Sequence, residues 1–209
     1  MNNMNFDYYS GYYLNQWIAH ERNLHSLLQT SDRNELLDGL SKAVKFFVVA
    51  RNLPRAYDVD QGIKRYEPLV NEFLKVNRYY PSEHTYIKTV DRFARSIGGR
   101  YGGTNLISLA SKLLWLRFQG PFIIYDSNVR TALGVNSGNY SDYVSKWIRA
   151  FDNSKADIAL AVLRLSDASL ASLSPSIDVS RVDLNVVKNS WFHQRVFDMY
   201  LWHRGRAAP

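Results

Sequence analysis

The feature that most constrains this chain is the spacing of its apolar residues, which recurs every three to four positions and almost never alternates. A period near 3.6 puts apolar side chains on one stripe of a helix, whereas a half-buried strand needs a period of two. Leu14, Trp17, Ile18, Leu24, Leu27 and Leu28 mark a first helix. Asp32 followed by Glu35 has the spacing of a capping box for a second, which carries Leu36, Leu37, Leu40, Val44, Phe47 and Val48 and stops before Pro54. A third runs from about Pro68 to near Pro81. Ser82 caps a fourth, with Ile87, Val90, Phe93, Ala94 and Ile97 inside and Gly98-Gly99 ending it. Thr104 opens a fifth, Leu106 to Phe118, closed by Gly120-Pro121. Phe122-Ile123-Ile124-Tyr125 reads as extended and buried. Helices from Ser127 to Leu133, from Ser141 to Phe151 and around Ile158 to Leu165 come next. The last spans about Val186 to Trp202, followed by a basic tail, His203-Arg204-Gly205-Arg206. The expected class is all-α.

A length of 209 residues suits one domain or two small lobes sharing a core, and 46% apolar residues with 11 Gly and 6 Pro fit a packed globule. The loosest stretch is Ser-rich, from Ala168 to Asp178. No apolar run approaches the roughly 18 residues a membrane span needs. The start, Met1-Asn2-Asn3-Met4-Asn5-Phe6-Asp7, lacks the basic and apolar regions of a signal peptide, so a cytoplasmic location is expected. The absence of cysteine excludes disulfides, thiolate zinc sites, iron–sulfur clusters and a thiol nucleophile. The five histidines form no HExxH pair, and His20 and His25 point apart on a helix. No metal and no cofactor is expected.

The net charge of +7 favours a polyanionic partner, and nucleic acid before membrane because no basic helix has a bulky apolar face. Many soluble proteins are equally basic and bind nothing anionic. Aromatic residues, 14% of the chain, suit both a core and stacking on bases. The charge is focused around Gly98-Gly99-Arg100-Tyr101-Gly102-Gly103-Thr104. Lys88, Arg92 and Arg95 share a helix face upstream, and Arg100, Lys112 and Arg117 continue the series against one acid, Asp91. Glycines permit close backbone approach, and the N–H groups of the following helix suit a phosphate. Arg95, Arg100, Gly102, Gly103 and Thr104 are therefore candidate DNA contacts. The alternative is an ordinary helix connection with a solvated basic face.

After this turn come Lys112 in the early turns of a helix, a short loop, the apolar Phe122 to Tyr125, then Asp126 at a new helix start. Residues 83–133 in this order resemble the helix-hairpin-helix DNA glycosylase superfamily, in particular bacterial proteins of the 8-oxoguanine glycosylase fold. The resemblance implies a compact two-lobed helical domain over residues 1–209 with a helix-hairpin-helix-like element. It makes Lys112 the nucleophile at the sugar carbon and Asp126 its electrostatic or basic partner. The turn lacks the family's apolar-Gly-apolar-Gly pattern, and the interval from lysine to aspartate is short. Breaking an N-glycosidic bond develops positive charge on the sugar, which a fixed carboxylate stabilises. Without catalysis, Ser108, Ser111, Lys112 and Trp115 form a semi-polar stripe facing water, and Asp126 is a helix cap with Ser127 as rival.

A glycosylase extrudes its base and holds it by stacking and edge hydrogen bonds. The aromatic supply lies at both ends, in Tyr8, Tyr9, Tyr12, Tyr13 and Trp17 and in the run from Trp191 to His203. The resemblance favours the last helix, with Asp198, Trp202 and His203 as base-pocket residues, while Phe197 and Leu201 read as core. Asn128 and Arg130 are placed to reach phosphate. The expected partner is double-stranded DNA with a modified base, with no membrane and no obligate protein partner. The expected activity is base excision leaving an abasic site: oxidised guanine in repair, or hypermodified phage bases such as glucosylated hydroxymethylcytosine in antiviral defence. A non-catalytic helical DNA-binding module is the alternative, and an interaction protein with an aromatic surface is a third reading.

Overall fold

A computed structural model describes residues 5–54, 58–76, 83–103, 105–136, 138–165 and 183–207. Among them the architecture is all-α. The helices are α1 (Phe6–Gln16), α2 (Arg22–Leu27), α3 (Arg33–Phe46), α4 (Glu67–Leu74), α5 (Glu83–Arg100), α6 (Ile107–Phe118), α7 (Ser127–Ala132), α8 (Tyr140–Leu163) and α9 (Ser190–Arg206). The only β pairing among the described residues is an isolated bridge between Asp58 and Ile63. None of these helices is long and apolar enough to cross a membrane.

The chain forms two compact units, Met1–Asn23 with Asp126–Pro209, and Leu24–Tyr125. In the first, α1 packs on α8 and α9, and α9 packs along α7. Tyr13, Leu14, Tyr143, Val144, Trp147, Phe192, Val196 and Phe197 fill its core. A π turn, Trp17–Glu21, interrupts the helix after α1: the Arg22 N–H reaches back five residues to the Trp17 carbonyl. Gly205 is set by packing. A Cβ there would lie 1.8 Å from the Asn128 carbonyl oxygen, so only glycine lets α9 approach α7 this closely.

In the second unit α3 and α4 pack together, α4 meets α5, and α5 lies against α6. Leu36, Leu40, Leu69, Phe73, Val90, Phe93 and Leu113 are buried between them. Every residue of α6 from Leu109 to Leu116 is buried, as expected of a helix apolar on nearly all sides. At the start of α3, Asp32 accepts from the N–H groups of Asn34 and Glu35. Glu35 does not close the box directly. Its carboxylate takes the Thr30 hydroxyl, which in turn accepts the Asp32 N–H.

Several sequence expectations change. The third helix ends at Leu74 rather than near Pro81, and the last begins at Ser190, after a 3-10 turn over Leu184–Lys188. The fourth helix does not stop at Gly98-Gly99; α5 continues to Arg100 and ends with the Gly103 N–H on the Gly98 carbonyl and Gly102 at φ +85°. The second helix ends at Phe46, before Phe47 and Val48. There the Val49 N–H bonds the Val44 carbonyl and the Val48 N–H bonds that of Lys45, so Val48 takes the left-handed position usually given to glycine. The helices expected around 141–151 and 158–165 are one, α8. Its polar middle turn is solvent face, and buried Phe151, Ser154, Ile158 and Ala161 keep a helical spacing through it. His203 to Arg206 are the last turn of α9 rather than a tail. The caps expected at Ser82 and Thr104 and the loose stretch Ala168 to Asp178 lie outside the described residues.

Candidate functional site

Lys112 is the most unusual side chain in the second unit. It is 4% exposed, and neighbouring Ser111 and Trp115 are buried as well, so the semi-polar stripe does not face water. Leu109, Leu113 and Leu116 pull α6 into the core, and Lys112 goes in with them. Its Nζ donates to the Ser108 Oγ (2.8 Å) and to the Tyr125 carbonyl (3.0 Å). The Ser111 Oγ accepts the Tyr125 N–H at 2.9 Å. Two adjacent α6 side chains thus satisfy both backbone polar groups of Tyr125, which an extended segment cannot pair within itself. A buried ammonium needs such partners. They also fix Nζ at the end of the run Phe122 to Tyr125, whose first three residues are buried as the sequence implied.

The α5–α6 turn opens on a cavity of about 670 Å³, lined by Asp91, Ala94, Arg95, Gly98, Gly99, Gly103, Asn105, Leu106 and Ile107. Gly102 and Gly103 both have positive φ (+85° and +81°), a conformation other residues rarely take. Asn105, not anticipated from sequence, accepts the Ile107 N–H through its Oδ1. Thr104 lies outside the described residues. Lys88, Arg92 and Arg95 are exposed, and Arg95 reaches the cavity while its Nε donates to the Asp91 carbonyl (3.3 Å). Burial raises the Asp91 carboxyl pKa, and Arg95 opposes the shift. Arg100 is 3.5 Å from the Glu72 Oε1. The Ser96 hydrogen bond is the main cause holding the Glu72 carboxyl below its ordinary range. Arg117 turns inward, donating to the Phe73 carbonyl and lying over its ring at 4.7 Å. The basic series therefore divides into exposed cations on α5 (Lys88, Arg92, Arg95 and Arg100, the last beside Glu72) and Arg117, which is spent on Phe73.

In the first unit Asp126 caps α7. Its Oδ1 accepts the Asn128 N–H at 3.0 Å, so Asp126 holds the position that Ser127 contested. The cap sets an anion at a helix start, where the free N–H groups favour it. Asn128 and Arg130 follow on α7, both half-buried, and the Asn128 carbonyl is the atom facing Gly205. The α7 backbone is therefore braced by α9.

Asp198 and its neighbours behave differently from the sequence expectation. Asp198 is 3% exposed and both its oxygens are taken: Oδ1 by the Trp147 Nε1 (2.7 Å), Oδ2 by Arg195 (3.0 Å). Arg195 also donates to Glu21 (2.8 Å), whose other oxygen accepts the Tyr13 hydroxyl (3.0 Å). One guanidinium thus sits between two carboxylates at the base of the π turn. Burial pushes the Asp198 carboxyl up to about 6, with Arg195 opposing the shift. Burial works against the Arg195 charge, yet Glu21 and Asp198 keep its pKa above the ordinary value. Burial, then the charges of Asp198, Tyr140 and Asp126, hold the Tyr143 phenol well above its usual pKa. In this arrangement Asp198 is occupied by its protein partners and its edge is not turned to a base. The Glu21–Arg195 pair had no sequence signal, because its members lie 174 positions apart.

Trp202 and His203 are half-buried in an aromatic group instead. The His203 ring lies 5.4 Å from both Tyr9 and Tyr12 and 5.0 Å from Trp202, and its Nδ1 is 2.9 Å from the Met199 carbonyl. The N-terminal and C-terminal aromatic sets, rivals in the sequence, are one cluster. Phe197 and Leu201 are core, as expected. Among the described residues no group of three or more His, Asp or Glu is placed to hold a metal ion. Comparison with protein-family models, curated proteins and solved structures finds no match to this chain.

Proposed function

We propose that this protein is a DNA glycosylase that flips out a modified base and cleaves its N-glycosidic bond. The observation that carries the reading is Lys112: a lysine 4% exposed, its Nζ fixed by Ser108 and the carbonyl of Tyr125, the residue preceding Asp126. An amine held at a defined point can approach a sugar carbon in one geometry, which is what proximity contributes to such a step. The cavity at the α5–α6 turn, with the exposed cations of α5 beside it, supports contact with the DNA backbone.

In the step proposed, deprotonated Lys112 attacks C1′ as the glycosidic bond breaks. The base leaves with the bonding electrons and takes up a proton. The amine then loses its own proton, the sugar ring opens, and a C=N imine joins enzyme to DNA; hydrolysis of the imine leaves the abasic site. Asp126, whose side chain caps α7, has the role of stabilising the positive charge that develops on the sugar. If water is the nucleophile instead, Asp126 activates it and no imine forms. Oxidised guanine and glucosylated hydroxymethylcytosine are the two substrate classes to compare, for repair and antiviral defence respectively, and a cytoplasmic setting fits either.

A second reading has its own support in the Tyr125 backbone bonds: Lys112 and Ser111 peg the segment, and the protein binds DNA without cleaving it. The two separate by experiment. Genomic DNAs carrying unmodified, oxidised or glucosylated bases are incubated with the protein, and abasic sites are scored with and without borohydride. The glycosylase reading expects abasic sites on one modified DNA and their loss in Lys112→Gln and Asp126→Asn at retained helicity. DNA binding with no abasic site on any substrate rejects catalysis and leaves the pegging role.

A further inference from the structure

The aromatic cluster on α1 and α9 is larger than packing requires. The core of this unit is already supplied by Tyr13, Trp147, Phe192 and Phe197, all 2% exposed or less. Outside it, Tyr8 is 55% exposed, and its ring lies parallel to that of Tyr12 one turn on, at 6.0 Å and 21°. Tyr12 meets His203 edge-on, and His203 meets Trp202 edge-on. The Arg206 guanidinium sits over the Trp202 ring at 5.4 Å. The group thus forms a continuous run of part-exposed rings ending in cations.

The charge around this run points to an anionic partner. Arg204 and Arg206 are exposed in the last turn of α9, and among the described residues no carboxylate pairs with either. The acid in the first turn of α1, Asp7, is matched by Arg164 at 2.8 Å. Placing cations at a helix C-terminus also suits the helix dipole, but that accounts for neither the exposed Tyr8 nor its near-parallel pairing with Tyr12. Rings that offer π-faces beside guanidinium groups match nucleobases joined by phosphates, and only unpaired bases expose faces to stack on. In a duplex those faces are covered by neighbouring pairs.

We infer that the surface of Tyr8, Tyr12, Trp202, His203 and Arg206 binds single-stranded nucleic acid by base stacking. The inference does not depend on the glycosylase reading, since it uses neither Lys112 nor Asp126. Binding of the full chain to a labelled oligothymidylate of about 12 nucleotides, and to a duplex of equal length, is measured by anisotropy over a salt series. The expected result is tighter binding of the single strand, and a loss of about tenfold or more in Tyr8→Ala/Tyr12→Ala with duplex affinity unchanged. Tyr8→Ala alone, at an exposed position, should weaken single-strand binding with an unchanged thermal midpoint. Equal affinity for strand and duplex, or strand binding that survives the double substitution, would overturn the inference and leave the aromatic surface to a protein partner.

Discussion

Replacing Gly205 by alanine sets two effects of opposite sign against each other. In the last turn of α9 the change gains helix propensity, at most about 1 kcal/mol. Against this, the new Cβ falls 1.8 Å from the Asn128 carbonyl oxygen, 2.6 Å from its carbon and 3.1 Å from the Ala132 nitrogen. All three are backbone atoms of the α7 region, so no side chain can rotate away. Relief requires α9 to withdraw from α7 by about an ångström, the kind of overpacking that costs about 1–3 kcal/mol. With contact to backbone on two residues, the upper end of that range applies, and the net is a loss of about 2 kcal/mol. For a chain of this size that lowers the thermal midpoint by about 4–8 °C. Gly11, within α1, is the internal control, since a Cβ there meets nothing within 4 Å. Gly11→Ala should gain up to about 1 kcal/mol by propensity alone. Thermal unfolding followed by helical ellipticity compares the three proteins. A Gly205→Ala midpoint at or above that of Gly11→Ala would refute the close approach of α9 to α7.

Removing the shared guanidinium with Arg195→Ala leaves Glu21 and Asp198 buried without their cation, and should cost about 3–5 kcal/mol in urea unfolding; a change under about 1 kcal/mol would contradict the buried network. The Asp198 carboxyl, at about 6 in the folded protein, sits above its ordinary unfolded value near 3.9, so the folded state takes up the proton first. Stability from this group therefore rises as pH falls from about 6 toward 4 and is lost as pH rises through 6. Asp198→Asn should lack that slope, and parallel stability–pH curves for the two proteins would remove the assignment. Arg95→Glu should weaken duplex DNA binding and reduce the salt slope of log K by about 1, whereas an unchanged slope places the DNA contact elsewhere.

The helical class was legible because it rests on local periodicity. Asp32 and Asp126 were readable as caps because a cap is defined by its own next three residues. Boundaries failed where the stop was made by backbone geometry without its usual residue: Val48 takes a left-handed conformation with no glycine to announce it. The polar turn in α8 misled for the opposite reason, since solvent exposure on one face imitates a break. The burial of Lys112 was not legible, because a lysine that shares a stripe with Ser108 and Ser111 reads as solvent-facing until the leucines beside it pull the helix inward. The same holds for Asp198, whose partners Trp147 and Arg195 converge only through tertiary packing. The two aromatic sets could each be seen in sequence, but their merger at His203 depends on how α1 and α9 pack.

The proposal that Lys112 is a nucleophile is tested most directly by finding where DNA becomes attached. The protein is incubated with oxidised and glucosylated genomic DNA in the presence of borohydride, digested, and the modified peptide is mapped by mass spectrometry. The expected result is a reduced adduct on the peptide spanning Leu109 to Arg117, on Lys112, and none in Lys112→Gln. An adduct on another lysine or on the N-terminal amine would reassign the nucleophile. Abasic sites without any adduct would give the step to water, and the absence of both would end the glycosylase reading.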